Sequence, residues 1–127
     1  MGYLTIQEEA SAEQTIEKSR VIAYVRRAET REEAEAFIAS IREMHKAARH
    51  NVPAFVIGES AQLQWASDDG EPQGTSGIPV LNTMTGRNLT NVVRVITRSF
   101  GGIILGTGGL MRAYTGVARE ALDKAGI

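Results

Sequence analysis

The 127-residue chain contains no cysteine and only three prolines. Without cysteine it can form neither a disulfide framework nor a thiolate-ligated metal site. No apolar run is long enough to span a bilayer, and residues 1–9 lack the basic flank and apolar core of a secretory signal. The chain has the length of one ordinary domain, which buries enough surface to fold without a covalent staple. We therefore expect a single cytoplasmic domain with no membrane partner.

The charge is nearly balanced overall but unevenly distributed along the chain. Residues 1–80 carry 8 basic and 13 acidic side chains, whereas residues 81–127 carry 6 basic and 2 acidic ones. Eleven of the 14 basic residues are arginine, whose planar guanidinium suits phosphate and carboxylate recognition. Two interpretations stay open: an ordinary dipolar surface, or a basic face that meets phosphate or an acidic partner.

Hydrophobic periodicity predicts helices near residues 31–46, 79–85 and 108–124. Thr30 and Glu33 form a capping box ahead of the first helix, and Gly86 is placed to end the second. Strands are expected at residues 21–25, 51–57 and 92–98, with 62–66 pairing back as a hairpin arm and 4–6 pairing with 14–16. Pro53 favours an edge strand or a strand start. His45 and His50 lack the i, i+4 spacing of a metal pair, so we expect them to be structural or solvated.

An acidic loop, S-D-D-G-E-P-Q-G-T-S-G-I-P, occupies residues 67–79. It places Asp68, Asp69 and Glu71 within four positions but does not have the ligand spacing of an EF-hand. The default interpretation is a turn whose carboxylates cap backbone N–H groups. The functional alternative is a site for a hard cation or for acid–base chemistry.

A glycine-dense turn follows the strand at 92–98 and opens the last helix. A strand, a glycine turn and a helix N-terminus together form a natural anion site. The turn is not a Walker A loop, because Thr107-Gly108 stands where Lys-Ser/Thr is required. Arg112 in the first turn of the helix opposes the macrodipole, a conflict that a bound anion would offset. Strand alternation places Arg94 and Arg98 on one face, which we expect to be solvated.

Four stretches resemble the IMPACT/YigZ family: K-S-R (18–20), A-R-H-N (48–51), D-D-G-E-P-Q-G-T-S-G-I-P (68–79) and R-S-F-G-G-I-I-L-G-T-G-G-L-M-R-A-Y (98–114). The resemblance runs in order from about residue 11 to residue 127. The chain departs from the family pattern at Ser99, where an aromatic residue is usual, and at Val52, where cysteine is frequent. The absence of that cysteine argues against cysteine-dependent chemistry.

The resemblance implies an α+β two-layer sandwich, a mainly antiparallel sheet with helices on one face. GHMP kinases, domain IV of elongation factor G and a small-subunit ribosomal protein share that fold. Bacterial members typically continue into a ferredoxin-like second domain, so residues 1–127 are expected to be the N-terminal domain alone. Eukaryotic members regulate translation and associate with ribosomes, which implies RNA, the ribosome or a translation-linked protein as partner.

Three hypotheses follow. The favoured one is a non-enzymatic, translation-associated module that binds such a partner and needs no cofactor or metal. The alternative is a small enzyme or sensor for a phosphorylated or nucleotide ligand, with Mg²⁺ at the acidic loop. In the third, both motifs are structural, and the acidic loop pairs with Arg98 or Arg112 in an internal ion network. The candidate binding residues are Asp68, Asp69, Glu71, Arg94, Arg98, Gly101, Gly102, Gly106, Gly108, Gly109 and Arg112; no catalytic residue is assigned.

Overall fold

The computed structural model of the chain describes residues 2–99 and 106–127. Within them the strands are β1 (Ala10–Ile16), β2 (Ser19–Arg27), β3 (His50–Ile57), β4 (Leu63–Ala66) and β5 (Val92–Ser99), and the helices are α1 (Arg31–Met44), α2 (Gly77–Thr85) and α3 (Gly106–Ala125). The strands form one sheet in the order β1-β2-β5-β3-β4, and all neighbours in it are antiparallel. The predicted α+β class with an antiparallel sheet is confirmed.

The hairpin at the start of the sheet differs from the expected one. Residues 14–16 pair with residues 19–21 across a two-residue turn, in which Glu17 and Lys18 both have positive φ, 49° and 68°. That conformation is the tight turn that matches the twist of paired strands. The predicted pairing of 14–16 with 4–6 is wrong, because the adjacent segment closes a much shorter loop. Leu4 instead makes an isolated parallel bridge with Leu89.

Successive residues of a strand point to opposite faces, and both faces of β5 are covered. Val92 and Ile96 share a core with α2 and α3, whereas Val93 and Val95 pack with the buried side of α1. Thus α2 and α3 form the expected helical layer, and α1 adds a helix on the opposite face. None of the helices in the described part of the chain is both long enough and apolar enough to cross a bilayer.

Local signals position these elements. The Thr30 hydroxyl accepts the Glu33 N–H at 3.1 Å, so α1 begins where the capping box predicts. The expected edge position of Pro53 is wrong, since β3 lies between β5 and β4. The ring is nevertheless tolerated there, because pairing with β4 begins only at Ala54 and needs no N–H from residue 53.

Arg94 is the largest correction to the sequence expectation. Its face of β5 lies under α2 and α3, so its side chain is fully buried rather than solvated. One guanidinium nitrogen donates to the Thr83 hydroxyl at 3.3 Å, while Nε and Nη2 have no hydrogen-bond partner among residues 2–99 and 106–127. Burial, and then the charge of Arg87, lower the pKa of Arg94 to about 9. A buried cation without a counter-charge destabilises the fold.

Replacing Arg94 with methionine should therefore stabilise the protein. The unbranched thioether fills similar space without a charge, and the Thr83 hydroxyl keeps its bond to the Val80 carbonyl. We expect Arg94→Met to raise the free energy of unfolding by roughly 1–4 kcal/mol in urea denaturation at neutral pH. Arg94→Lys, which retains the charge, is the control and should bring no gain. A methionine variant less stable than the parent would contradict this assignment.

Candidate functional site

A buried ion pair joins the acidic loop to the end of β5 and to α3. Glu71, only 6% exposed, accepts two bonds from Arg98, with Nε at 2.6 Å and Nη2 at 3.0 Å. The Tyr114 hydroxyl donates to the same carboxylate at 2.5 Å. Because the three side chains come from three separate parts of the chain, this cluster fixes the loop between the sheet and the helix. The internal network proposed in the third hypothesis is confirmed for Glu71 and Arg98.

The cluster raises the pKa of two of its members, Arg98 and Tyr114. The hydrogen bond from Arg98 to Glu71 raises the pKa of the guanidinium, so Arg98 stays cationic. Burial, reinforced by the hydrogen bond to Glu71, raises the pKa of Tyr114, which keeps the phenol as a neutral donor. Arg98, with a side chain only 12% exposed, is not the solvated residue that we expected.

His50 belongs to the same cluster. It is the first residue of β3 and lies opposite Arg98 in the sheet register. Its Nε2 is 3.4 Å from a Glu71 oxygen, and its Nδ1 is 2.8 Å from the carbonyl oxygen of Asp69. Residue spacing gave no hint of this contact, because only strand register brings the histidine to the loop. The single sequence signal was its presence in the A-R-H-N motif of the resemblance.

Asp68 organises the loop and the start of α2. Its carboxylate accepts the backbone N–H groups of Gly74, Ser76 and Gly77 at 2.8 to 3.1 Å, and the Ser76 hydroxyl at 2.9 Å. Desolvation opposes its ionisation, but these hydrogen bonds prevail and hold its pKa below the usual value. Gly77 is needed here, since a Cβ would lie 2.8 Å from the backbone of Ser67. The default interpretation of the loop, carboxylates capping backbone N–H groups, is confirmed for Asp68.

Asp69 ties the loop to the sheet and to α1. One oxygen accepts the backbone N–H of Asn51 at 2.8 Å, and the other lies 3.2 Å from the Arg42 guanidinium. Each of the three loop carboxylates is thus occupied by donors of the protein. Across residues 2–99 and 106–127, no three acidic or histidine side chains are arranged to hold a metal ion. Mg²⁺ at this loop stays a prediction of the enzyme hypothesis.

The structure brings the described part of the glycine turn to the same end of the sheet. Gly101 and Gly102 lie outside the described residues. Gly106 begins α3 with φ of 73°, and Gly108 and Gly109 complete the first turn, which contains no acidic residue. Arg112 is exposed and folds back over Gly108, where a Cβ would lie 3.3 Å from its Nη1. Among the described residues, Arg112 has no carboxylate partner.

Arg119, like Arg112, has no carboxylate partner among the described residues. The other exposed or half-exposed arginines for which contacts are described lie within 4.0 Å of an acid: Arg20–Glu13, Arg26–Glu9, Arg27–Glu29, Arg31–Glu35, Arg42–Asp69 and Arg87–Asp123. Arg119 is exposed, and the described part of the chain offers it no such partner. The two cations are seven residues apart, so they share one face of α3 about 10 Å apart along its axis. Sequence reasoning missed Arg119, although its i, i+7 spacing from Arg112 could have identified it.

The acidic loop, the glycine turn and the antiparallel sheet identify the family to which the chain belongs. The family model described as the Impact N-terminal domain matches residues 17–122 of the chain. The chain therefore belongs to the IMPACT family, as its motifs indicated.

Particular relatives agree with this assignment. The chain is 46% identical over 126 residues to the IMPACT family member YvyE of Bacillus subtilis, covering 99% of this chain and 58% of that protein. It is 44% identical over 110 residues to the IMPACT family member YigZ of Escherichia coli, covering 84% of this chain and 53% of YigZ. The chain thus spans between half and two-thirds of the length of these relatives.

Two solved structures share the fold. A crystal structure of a hypothetical protein superposes with a TM-score of 0.91 at 39% identity, covering 96% of this chain and 60% of that one. The structure of the two-domain translational regulator Yih1 matches with a TM-score of 0.53 at 21% identity, covering 99% of this chain and 48% of that one. The second likeness establishes a shared fold and no more.

The Glu71 cluster should dominate the stability of this end of the domain. Glu71→Gln removes the counter-charge from a largely buried Arg98, and we expect a loss of roughly 3–5 kcal/mol in the free energy of unfolding. Tyr114→Phe, the matched control, removes one hydroxyl and should cost about 1–2 kcal/mol. Chemical denaturation at neutral pH measures both. Equal losses in the two variants would mean that the ion pair is not the dominant contact.

Proposed function

We propose that this chain is a non-enzymatic, translation-associated module that binds ribosomal RNA through the exposed face of α3. The observation that carries the proposal is the pair Arg112 and Arg119, two exposed arginines on one helix face without a carboxylate partner among the described residues. Arginine presents a planar fork that suits phosphate oxygens, and phosphate contacts supply the sequence-independent part of nucleic-acid affinity.

The exposed face of α3 is chosen because arginines on other surfaces of the domain are paired with acidic side chains. Neutralised arginines such as Arg20 and Arg26 would have to give up an acidic partner before they contacted a phosphate. Arg112 and Arg119 meet no such competition from the described residues. The N-terminal end of α3 adds the positive end of a 20-residue helix dipole to the same surface.

Relatives support the translational part of the proposal. Yih1, which shares the fold, is described as a two-domain translational regulator. The candidate face of α3 lies within the span matched to the Impact N-terminal domain, residues 17–122. The RNA contact is therefore assigned to this domain, and it depends on Arg112 and Arg119.

A second candidate function is the binding of a phosphorylated small molecule at the N-terminus of α3. The position of the Arg112 guanidinium over the first turn favours it, because an anion there would contact both the cation and the backbone N–H groups at the start of the helix. The two candidates differ in their use of Arg119. Arg119 lies about two turns beyond Arg112 along α3, out of reach of a small anion bound at the start of the helix.

Co-sedimentation with purified ribosomes across a salt series tests the proposal. We expect the protein to pellet at low salt and to be released steeply as salt rises, since counterions are displaced. Arg112→Gln/Arg119→Gln should weaken pelleting and lower the slope of log affinity against log salt by about 2. The matched control Arg20→Gln/Arg26→Gln removes the same charge from neutralised sites and should behave like the parent.

Three outcomes would contradict the RNA-binding proposal. The protein could fail to pellet at the lowest salt, or the control could lose as much binding as the α3 variant. Pelleting insensitive to salt would instead indicate a protein contact on the ribosome. A loss caused by Arg112→Gln but not by Arg119→Gln would favour the small-anion candidate.

A further inference from the structure

Trp65 is the chain's single tryptophan and lies on β4, the short strand at one edge of the sheet. It is 40% exposed, although a side chain of its size normally buries most of its surface. Beside it is a cavity of about 290 Å³ between β4 and α1. We call this cavity the Trp65 pocket; its lining residues are Arg31, Glu35, Ile38, Ala39, Arg42 and Trp65.

We propose that the Trp65 pocket binds a nucleotide, with the base stacked on Trp65 and the phosphate held by Arg31 or Arg42. Trp65 shares this pocket with two arginines, and proteins that bind single-stranded nucleic acids combine such aromatic rings with basic side chains. The pocket lies on the α1 side of the sheet, opposite the layer formed by α2 and α3. The proposal is therefore independent of the RNA surface on α3.

The base end of the pocket is apolar and preformed. The Trp65 ring packs against Phe55 with centroids 5.5 Å apart and planes tilted by 32°. Phe55 is itself 1% exposed, so it fixes the orientation of the indole. Ile38, 7% exposed, contributes buried aliphatic surface from α1. The volume is near the lower end of small-molecule sites, which suits one flat ring system rather than a larger ligand.

The phosphate end is provided by α1. Arg31 and Arg42 are eleven residues apart, close to three helical turns, so both lie on the face of α1 that borders the pocket. Arg31 is 3.0 Å from Glu35, and Arg42 is 3.2 Å from Asp69. Both arginines are about half exposed in these pairs, and such surface pairs are weak. A phosphate has to displace Glu35 or Asp69 from its arginine; the weakness of these surface pairs permits the exchange, and bidentate bonds from the guanidinium to the phosphate favour it.

The fluorescence of Trp65 tests the proposal directly, because no other tryptophan contributes to the signal. The probes are AMP, adenosine, inorganic phosphate and a short oligoadenylate, each added to the intact chain. We expect saturable quenching by AMP, at least tenfold weaker binding of adenosine, and no quenching by phosphate alone. Tighter binding of the oligoadenylate than of AMP would assign the nucleotide to an RNA strand; equal binding would assign it to the free mononucleotide.

Arginine variants test whether the phosphate of AMP is bound in the Trp65 pocket. Arg31→Gln/Arg42→Gln should weaken AMP binding at least tenfold, while the matched control Arg20→Gln/Arg26→Gln should not. Circular dichroism establishes that each variant is folded; if the double variant is not, the single variants Arg31→Gln and Arg42→Gln are both measured, and at least one of them should weaken AMP binding. Absence of saturable quenching by both AMP and the oligoadenylate would overturn the proposal. Equal affinity for AMP and adenosine, or an unaffected arginine variant, would overturn the phosphate contact.

Discussion

The bidentate ion pair between Glu71 and Arg98 is the contact on which this end of the domain depends. It joins the acidic loop to β5, and the Tyr114 hydroxyl extends it to α3. The two loop carboxylates that precede Glu71 complete the arrangement: Asp68 accepts N–H groups at the start of α2, and Asp69 accepts the backbone N–H of Asn51. The acidic loop therefore positions β5, α2 and α3 relative to one another, and its carboxylates accept hydrogen bonds from within the protein.

This arrangement divides the charged residues of the chain into two groups. Arg98 and the loop carboxylates are saturated by partners within the protein. The exposed face of α3, by contrast, carries Arg112 and Arg119 with no carboxylate partner among the described residues. Binding of an anionic partner is better supported by the second group, because its guanidinium groups need no release. The acidic loop and Arg98, which belong to the motifs of the family, thus stabilise the fold. The proposed binding surface is formed by Arg112 and Arg119 on α3.

Sequence reasoning succeeded where the signal was local. The capping box placed α1, β-branched runs placed β3 and β5, and the Glu71–Arg98 pair was among the alternatives. It failed where tertiary packing decides the outcome. Strand alternation correctly grouped Arg94 with Arg98, but only the positions of α2 and α3 show that this face is covered. His50 and Trp65 likewise gain their roles from strand register and from α1, which residue spacing does not reveal.

Amide hydrogen exchange in the parent and in Glu71→Gln tests most directly whether the ion pair fixes the loop and α3 together. The amides to follow are those of Gly74, Ser76 and Gly77, which Asp68 binds, together with those of α3 around Tyr114. If the ion pair has this role, both groups lose protection in the variant by more than the change in global stability, while amides of α1 do not. Selective loss in neither group, or in the loop alone, would contradict it.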